Sequence, residues 1–343
     1  MRGERIIRFV KDWTLPVAMG FGTLAYLLFY YVPQLDAAGD FLGPVLDVLM
    51  PVMVFLTLLI TFCKVDFHQM RFHRWHFGVL AAQLLLVAVN IGIIFYVETH
   101  NSQLSTINYK LLWEAVLTCI IGPSAAAAPV VVGKLGGNIS TMTTYTLISA
   151  FLSALLIPVV FPLLEQTVHV DFLSALFIIL EKVSMVLLLP LALGWLIQRY
   201  LEPLRRWVVS QPNLSFYSWA VSLSITTGIT VKNIVHSQSS LSLLLLIAVA
   251  TLLLCFLQFA MGRGVGRWLG ERQPAGSGPS GMEINAGQAL FQKNTGLSIW
   301  VAYMYLSPVA SIGAGCYVLW QNIINSMEIW QYRKKSVDLI NYP

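Results

Sequence analysis

The chain has 343 residues, 57% of them hydrophobic and only 11% charged, with a mean hydropathy of +0.72. So few charges cannot cover a water-soluble globule of this size, which excludes a soluble enzyme or binding module and points to an integral membrane protein. The net charge of +5 calls for no nucleic-acid partner, because basic loops beside a lipid bilayer account for it.

A membrane helix needs about 20 predominantly apolar residues. The chain offers ten such runs, at residues 13–32, 43–63, 77–97, 109–134, 138–164, 171–198, 213–233, 241–262, 282–306 and 308–331. The predicted fold is all-α, with ten transmembrane helices. Seventeen basic residues, among them Arg2, Arg5, Arg8, Lys11, Lys64, Lys134, Arg263 and Arg333, precede the first run, follow the last or lie in even-numbered loops; odd-numbered loops hold only Lys110 and Lys232. This bias predicts a multi-pass protein of the cell (inner) membrane with both termini cytoplasmic. The first run is too long for a cleavable signal core.

The loop Phe67–His76 is rich in His and basic residues, but His68, His73 and His76 lack a carboxylate or Cys at ligand spacing. An interfacial amphipathic turn is the better reading than a metal site. Cys63, Cys119, Cys255 and Cys316 sit singly in apolar runs and read as small core residues. Glu271–Gly281 is a Gly/Pro/Ser loop too poor in apolar residues to be a domain. Two lysines, Lys182 and Lys293, fall inside apolar runs. Lys182 adjoins Glu181, which it cannot face on a helix.

Two polar, glycine-bearing interruptions divide the fourth and ninth runs: Gly122-Pro123-Ser124 and Gln292-Lys293-Asn294-Thr295-Gly296. Gly122 and Gly296 are 174 residues apart, and the same offset carries Leu15-Pro16 through Gly20 onto Leu189-Pro190 through Gly194. Interrupted apolar segments at matching places in two halves mark a transporter's binding site, because helix ends at mid-membrane need an ion or substrate. The offset predicts two five-helix repeats, residues 1–165 and 166–343, which are inverted because five is odd. Ser124 and the Ala run, with Ala126, read as one exposed helix start, and Thr295 and Gly296 as another; such starts attract anions. A charge at the depth of Lys293 costs a few kcal/mol and is a functional candidate by default. Gln321 and Asn322 are polar at a depth where pairing is required, and can line a cavity or bridge helices.

Gly122 through Val130 followed by Gly136-Gly137-Asn138, with Asn294-Thr295-Gly296-Leu297 and Trp320-Gln321-Asn322-Ile323, resemble the bile acid:sodium symporter family. The resemblance spans most of the chain and implies discontinuous fourth and ninth helices that cross. It also implies a core domain of helices 3–5 and 8–10 beside a panel of helices 1, 2, 6 and 7. Family members bind two sodium ions on hydroxyl, amide and carboxylate oxygens. Carried over by position, a Ser-Asn pair becomes Ala128 and Pro129, and a downstream Ser becomes Met142. The shared Glu falls at Ala289, or at Gln288 with a slip of one, and a Gln becomes Lys293. Gln83, Thr146 and Asn294 keep polar atoms. Sodium needs several oxygen ligands, so ordinary sodium coupling is not expected, and Lys293 can stand in for the ion or carry a proton.

The expected activity is secondary transport of a small organic anion, with no cofactor beyond a coupled proton. A sodium-coupled symporter and a non-transporting receptor are the alternatives. An enzyme is not expected, since no His-Glu-x-x-His, paired acidic site or base-flanked nucleophile occurs. Neither the substrate nor the oligomeric state is legible.

Overall fold

The computed structural model describes residues 13–64, 71–100, 108–164, 172–211, 214–269 and 281–341. The basic residues Arg2 to Lys11, His68 and most of the Gly/Pro/Ser loop lie outside the described residues, as do the Lys182 side chain and the predicted repeat boundary at 165/166.

The described chain is helical apart from one isolated β-bridge. Helix α1 (Thr14–Tyr31) leads through a short 3₁₀ turn to α2 (Asp36–Lys64), followed by α3 (Arg74–His100). The next predicted segment is divided into α4 (Tyr109–Ile121) and the short α5 (Ala128–Lys134), and α6 (Ile139–Leu164) follows. Helices α7 (Phe172–Leu187) and α8 (Leu189–Tyr200) share one predicted segment, with Pro190 in the first turn of α8. The missing N–H of proline is harmless there, so it starts a helix where it would kink an interior. Then come α9 (Glu202–Ser210), α10 (Leu214–Val235), α11 (Leu241–Leu269), the divided pair α12 (Gly281–Phe291) and α13 (Thr295–Tyr305), and α14 (Pro308–Asn341).

Five helical stretches, Thr14–Tyr31, Phe41–Lys64, Arg74–His100, Ile139–Leu164 and Leu241–Leu269, are long and apolar enough to cross a membrane. The pieces of the three divided segments are 7 to 16 residues each, short of the length a span needs.

Small residues decide which helices touch, as membrane helices lacking a hydrophobic driving force rely on close backbone approach. A Cβ at Gly22 of α1 would run into the Ser224 carbonyl of α10, and one at Gly194 of α8 into Phe62 of α2. Likewise Gly262 and Gly266 of α11 lie on the Ala286 and Met282 carbonyls of α12, and Gly313 of α14 on the Ala115 carbonyl of α4. One group of packed helices thus joins α1, α2, α8 and α10; another joins α3 and α4 to α11, α12 and α14.

One expectation fails near the start of α3. The segment ending at His76 is not an interfacial turn there, because the helix begins at Arg74 and both Trp75 and His76 are fully buried. His76 Nε2 contacts the Thr141 carbonyl at 3.1 Å, its Nδ1 accepts from the His73 N–H at 3.2 Å, and its ring meets Trp75 edge-on. With both ring nitrogens engaged, burial strands neither polar atom of the His76 ring.

Candidate functional site

The two interruptions meet. Ser124 and Lys293, 169 residues apart, form an antiparallel bridge in which the Ala125 N–H donates to the Gln292 carbonyl (2.8 Å) and the Asn294 N–H to the Pro123 carbonyl (2.9 Å). These two bonds exchange with one another when residue i is mapped onto i + 169. The same offset carries the end of α1 onto the end of α8, the end of α3 onto the end of α11, and the start of α6 onto the start of α14. The bridge thus pairs residues 169 apart, whereas the Pro and Gly motifs match at 174. A backbone bridge constrains which peptides align and is indifferent to side-chain type, so the motifs did not report it.

The first break is longer than expected and its helix starts later. It runs from Gly122 to Ala127, and α5 begins at Ala128 with no side-chain cap. Ser124 is thus not a helix start: it is buried in the bridge, with its N–H donating to the Ser149 hydroxyl (2.7 Å) and its own hydroxyl to the Gln292 carbonyl (3.5 Å). The second break is only Gln292 to Asn294, and the Asn294 side chain caps α13 by accepting from the Leu297 N–H at 3.2 Å.

Side chains answer the carbonyls of Cys119 to Gly122 at the end of α4 and of Phe291 at the end of α12, as a helix terminus buried away from water requires. Gln83 of α3 donates to the carbonyls of Ile120 (3.1 Å), Ile121 (3.4 Å) and Gly122 (3.1 Å), and the Ser153 hydroxyl to Ile121 (2.9 Å). Gln258 of α11 donates to the Cys119 carbonyl (3.3 Å) and the Tyr317 hydroxyl (3.0 Å), which itself donates to the Phe291 carbonyl (2.7 Å). Gln321 clamps the Lys293 peptide from both sides, accepting from its N–H (3.0 Å) and donating to its carbonyl (3.2 Å).

The Lys293 side chain is 1% exposed, and its ammonium donates to the Gly122 carbonyl at 3.3 Å. Among the described residues no carboxylate pairs with it. Its charge therefore sits on the negative end of the α4 dipole, the place a bound cation would otherwise take.

A cavity of ≈ 40 Å³ opens beside the crossing, with room for two or three water molecules. Ala125 to Ala127 and Lys293 to Gly296 wall it on one side, and Val54 and Thr57 of α2 with Trp219, Ser222 and Thr226 of α10 on the other. Lys293 is the one ionisable residue among its described lining residues. Among the described residues the Ala126 and Ala127 N–H groups donate no backbone hydrogen bond, and four lining residues carry hydroxyls. An apolar cluster that includes Leu15, Val131, Phe216 and Ile284 seals one side, and there the Lys134 ammonium lies 3.5 Å from the Phe216 ring centroid.

Of the predicted site residues, Ala126, Lys293, Asn294 and Thr295 line this cavity. Ser124, Gln321 and Asn322 stand behind it; Asn322 donates to the Val318 carbonyl of its own helix at 2.7 Å. Gln83 meets Lys293 at the Gly122 carbonyl, whereas Thr146 only back-bonds to the Met142 carbonyl (3.0 Å). Gln288 donates to Glu328 (2.8 Å), which Arg263 also engages at 2.5 Å. The sequence reading missed Thr57, Trp219, Ser222 and Thr226, and treated Lys134 as an orienting charge alone.

The sequence model of the SBF-like CPA transporter family matches residues 18–316. No curated protein matches the chain significantly.

Proposed function

The chain belongs to the SBF-like CPA transporter family, and from that premise we propose that this membrane transporter carries a small organic anion by alternating access, without sodium in the role it has in bile acid:sodium symporters. The observation that carries the reading is the buried Lys293 ammonium on the Gly122 carbonyl, in a cavity wall that holds hydroxyls and, among its described residues, no carboxylate. A fixed cation and hydroxyl donors favour an anion over a cation, and the fixed charge removes the need to dehydrate a sodium ion.

The proposed arrangement has ten spans, both termini cytoplasmic, and two inverted repeats related by about 169 residues, with α4/α5 and α12/α13 crossing at mid-membrane. The matching ends of α1 and α8 and of α3 and α11, and the matching starts of α6 and α14, under that offset support this arrangement. Helices α1, α2 and α7 to α10 form the panel, and the remainder form the core that rocks against it. At ≈ 40 Å³ the cavity is too small for an organic anion, so a substrate enters only when core and panel separate.

The test is uptake of candidate organic anions into proteoliposomes with sodium, potassium or choline outside at fixed pH. Equal uptake in the three salts, lost in Lys293→Gln, supports the proposal; stimulation specific to sodium overturns the coupling. Binding without accumulation identifies a receptor instead.

A further inference from the structure

We propose that the groove between α1, α2 and α10 is a binding site for an anionic phospholipid, with the phosphate at Lys232 and one acyl chain lying along α1. The groove is distinct from the crossing and has a volume of ≈ 490 Å³, within the range of small-molecule sites.

Glycines make the space. On α2, Gly39 and Gly43 lie one turn apart and face the groove; a Cβ at Gly43 would meet nothing within 4 Å, and one at Gly39 only the Phe29 ring at 3.8 Å. On the floor, Gly22 lets α1 rest directly on the Ser224 carbonyl of α10. The walls are apolar, formed by Phe21, Phe29, Leu42, Leu46, Ile225 and Ile229. From Phe21 to Tyr30 the groove follows α1 for about 13 Å at the helical rise per residue.

One end differs in chemistry. Lys232 is exposed and makes no ion pair among the described residues, His236 packs edge-on against the Tyr26 and Tyr30 rings, and the buried Tyr26 hydroxyl has no hydrogen-bond partner. Lys232, His236 and Tyr26 thus line an otherwise apolar slot, one of them a fixed cation. That is the complement of a phosphate joined to an acyl chain. The source is the bilayer, because Phe21, Leu24 and Leu28 beside the groove are more than half exposed and, in a membrane protein, face lipid.

The experiment uses the full chain in phosphatidylcholine nanodiscs doped with phosphatidylglycerol, with retained lipid counted by native mass spectrometry. The expected result is one retained phosphatidylglycerol in marked preference to phosphatidylcholine. Lys232→Gln should cut that preference about fivefold. Gly43→Leu, whose Cβ meets nothing within 4 Å and whose folding is checked by its elution, should expel the lipid altogether. Equal retention of the two lipids, an unchanged preference in Lys232→Gln, phosphatidylglycerol kept by Gly43→Leu, or a free fatty acid in its place would each overturn the assignment.

Discussion

The Lys293 ammonium and the Gly122 carbonyl, 171 residues apart in the chain, meet at 3.3 Å in the middle of the fold. This contact ties the peptide that starts one break to the side chain at the centre of the other, and Gln83 reaches the same carbonyl at 3.1 Å. The charge is thus bound to the crossing.

Lys293→Met should separate charge from volume. It leaves the stem in place while removing the donor to Gly122; that carbonyl keeps Gln83 and a buried charge without a carboxylate partner among the described residues is relieved, so stability should hold or rise. Anion uptake should fall at least about tenfold, since the one fixed cation in the cavity wall is gone. Uptake that survives in protein shown to be folded would remove Lys293 from the mechanism.

Gln321→Leu tests the clamp. Two buried hydrogen bonds to the Lys293 peptide vanish, and its N–H and carbonyl are left without that partner. The expected loss is about 1–3 kcal/mol, read as a lower unfolding temperature of the purified protein. No change would mean that the peptide finds another partner.

Gly313→Val and Gly20→Ala make a matched pair. A Cβ at Gly313 collides with the Ala115 carbonyl, whereas one at Gly20 meets nothing within 4 Å. Forcing α14 away from α4 should cost upwards of about 1–3 kcal/mol and sharply reduce folded protein in the membrane. Gly20→Ala should be neutral to slightly stabilising, as alanine is the better helix former. Comparable expression of both variants would contradict the packing described.

Lys134→Met tests the seal beside the cavity. The ammonium over the Phe216 ring is worth about 0.5–2 kcal/mol, so its loss should shift the population toward a state open on that side severalfold. A cysteine placed at Ser222 should then react faster with a membrane-impermeant thiol reagent, and Phe216→Leu should do the same. Unaltered reactivity in both variants would show that the apolar cluster alone holds the seal.

The sequence by itself determined what is local. Apolar runs, proline at the first turn of α8 and the polar interruptions at Gly122 and Gln292 reflect solvation and backbone sterics, which act over a few residues. A lysine at mid-span is conspicuous for the same reason. What the tertiary structure decided is everything made by distant pairs. The pairing of Ser124 with Lys293 rests on backbone bonds that do not depend on side-chain type, so no motif could report it. Thr57 gives no local sign of lining a cavity, because its hydroxyl bonds to the Met53 carbonyl (2.7 Å), as threonines in many buried helices do. Lys134 reads as an orienting charge until α10 brings Phe216 beneath it. Ser124, expected at a helix start, became a bridge residue because Lys293 occupies the other side of the crossing, and that partner lies half the chain away.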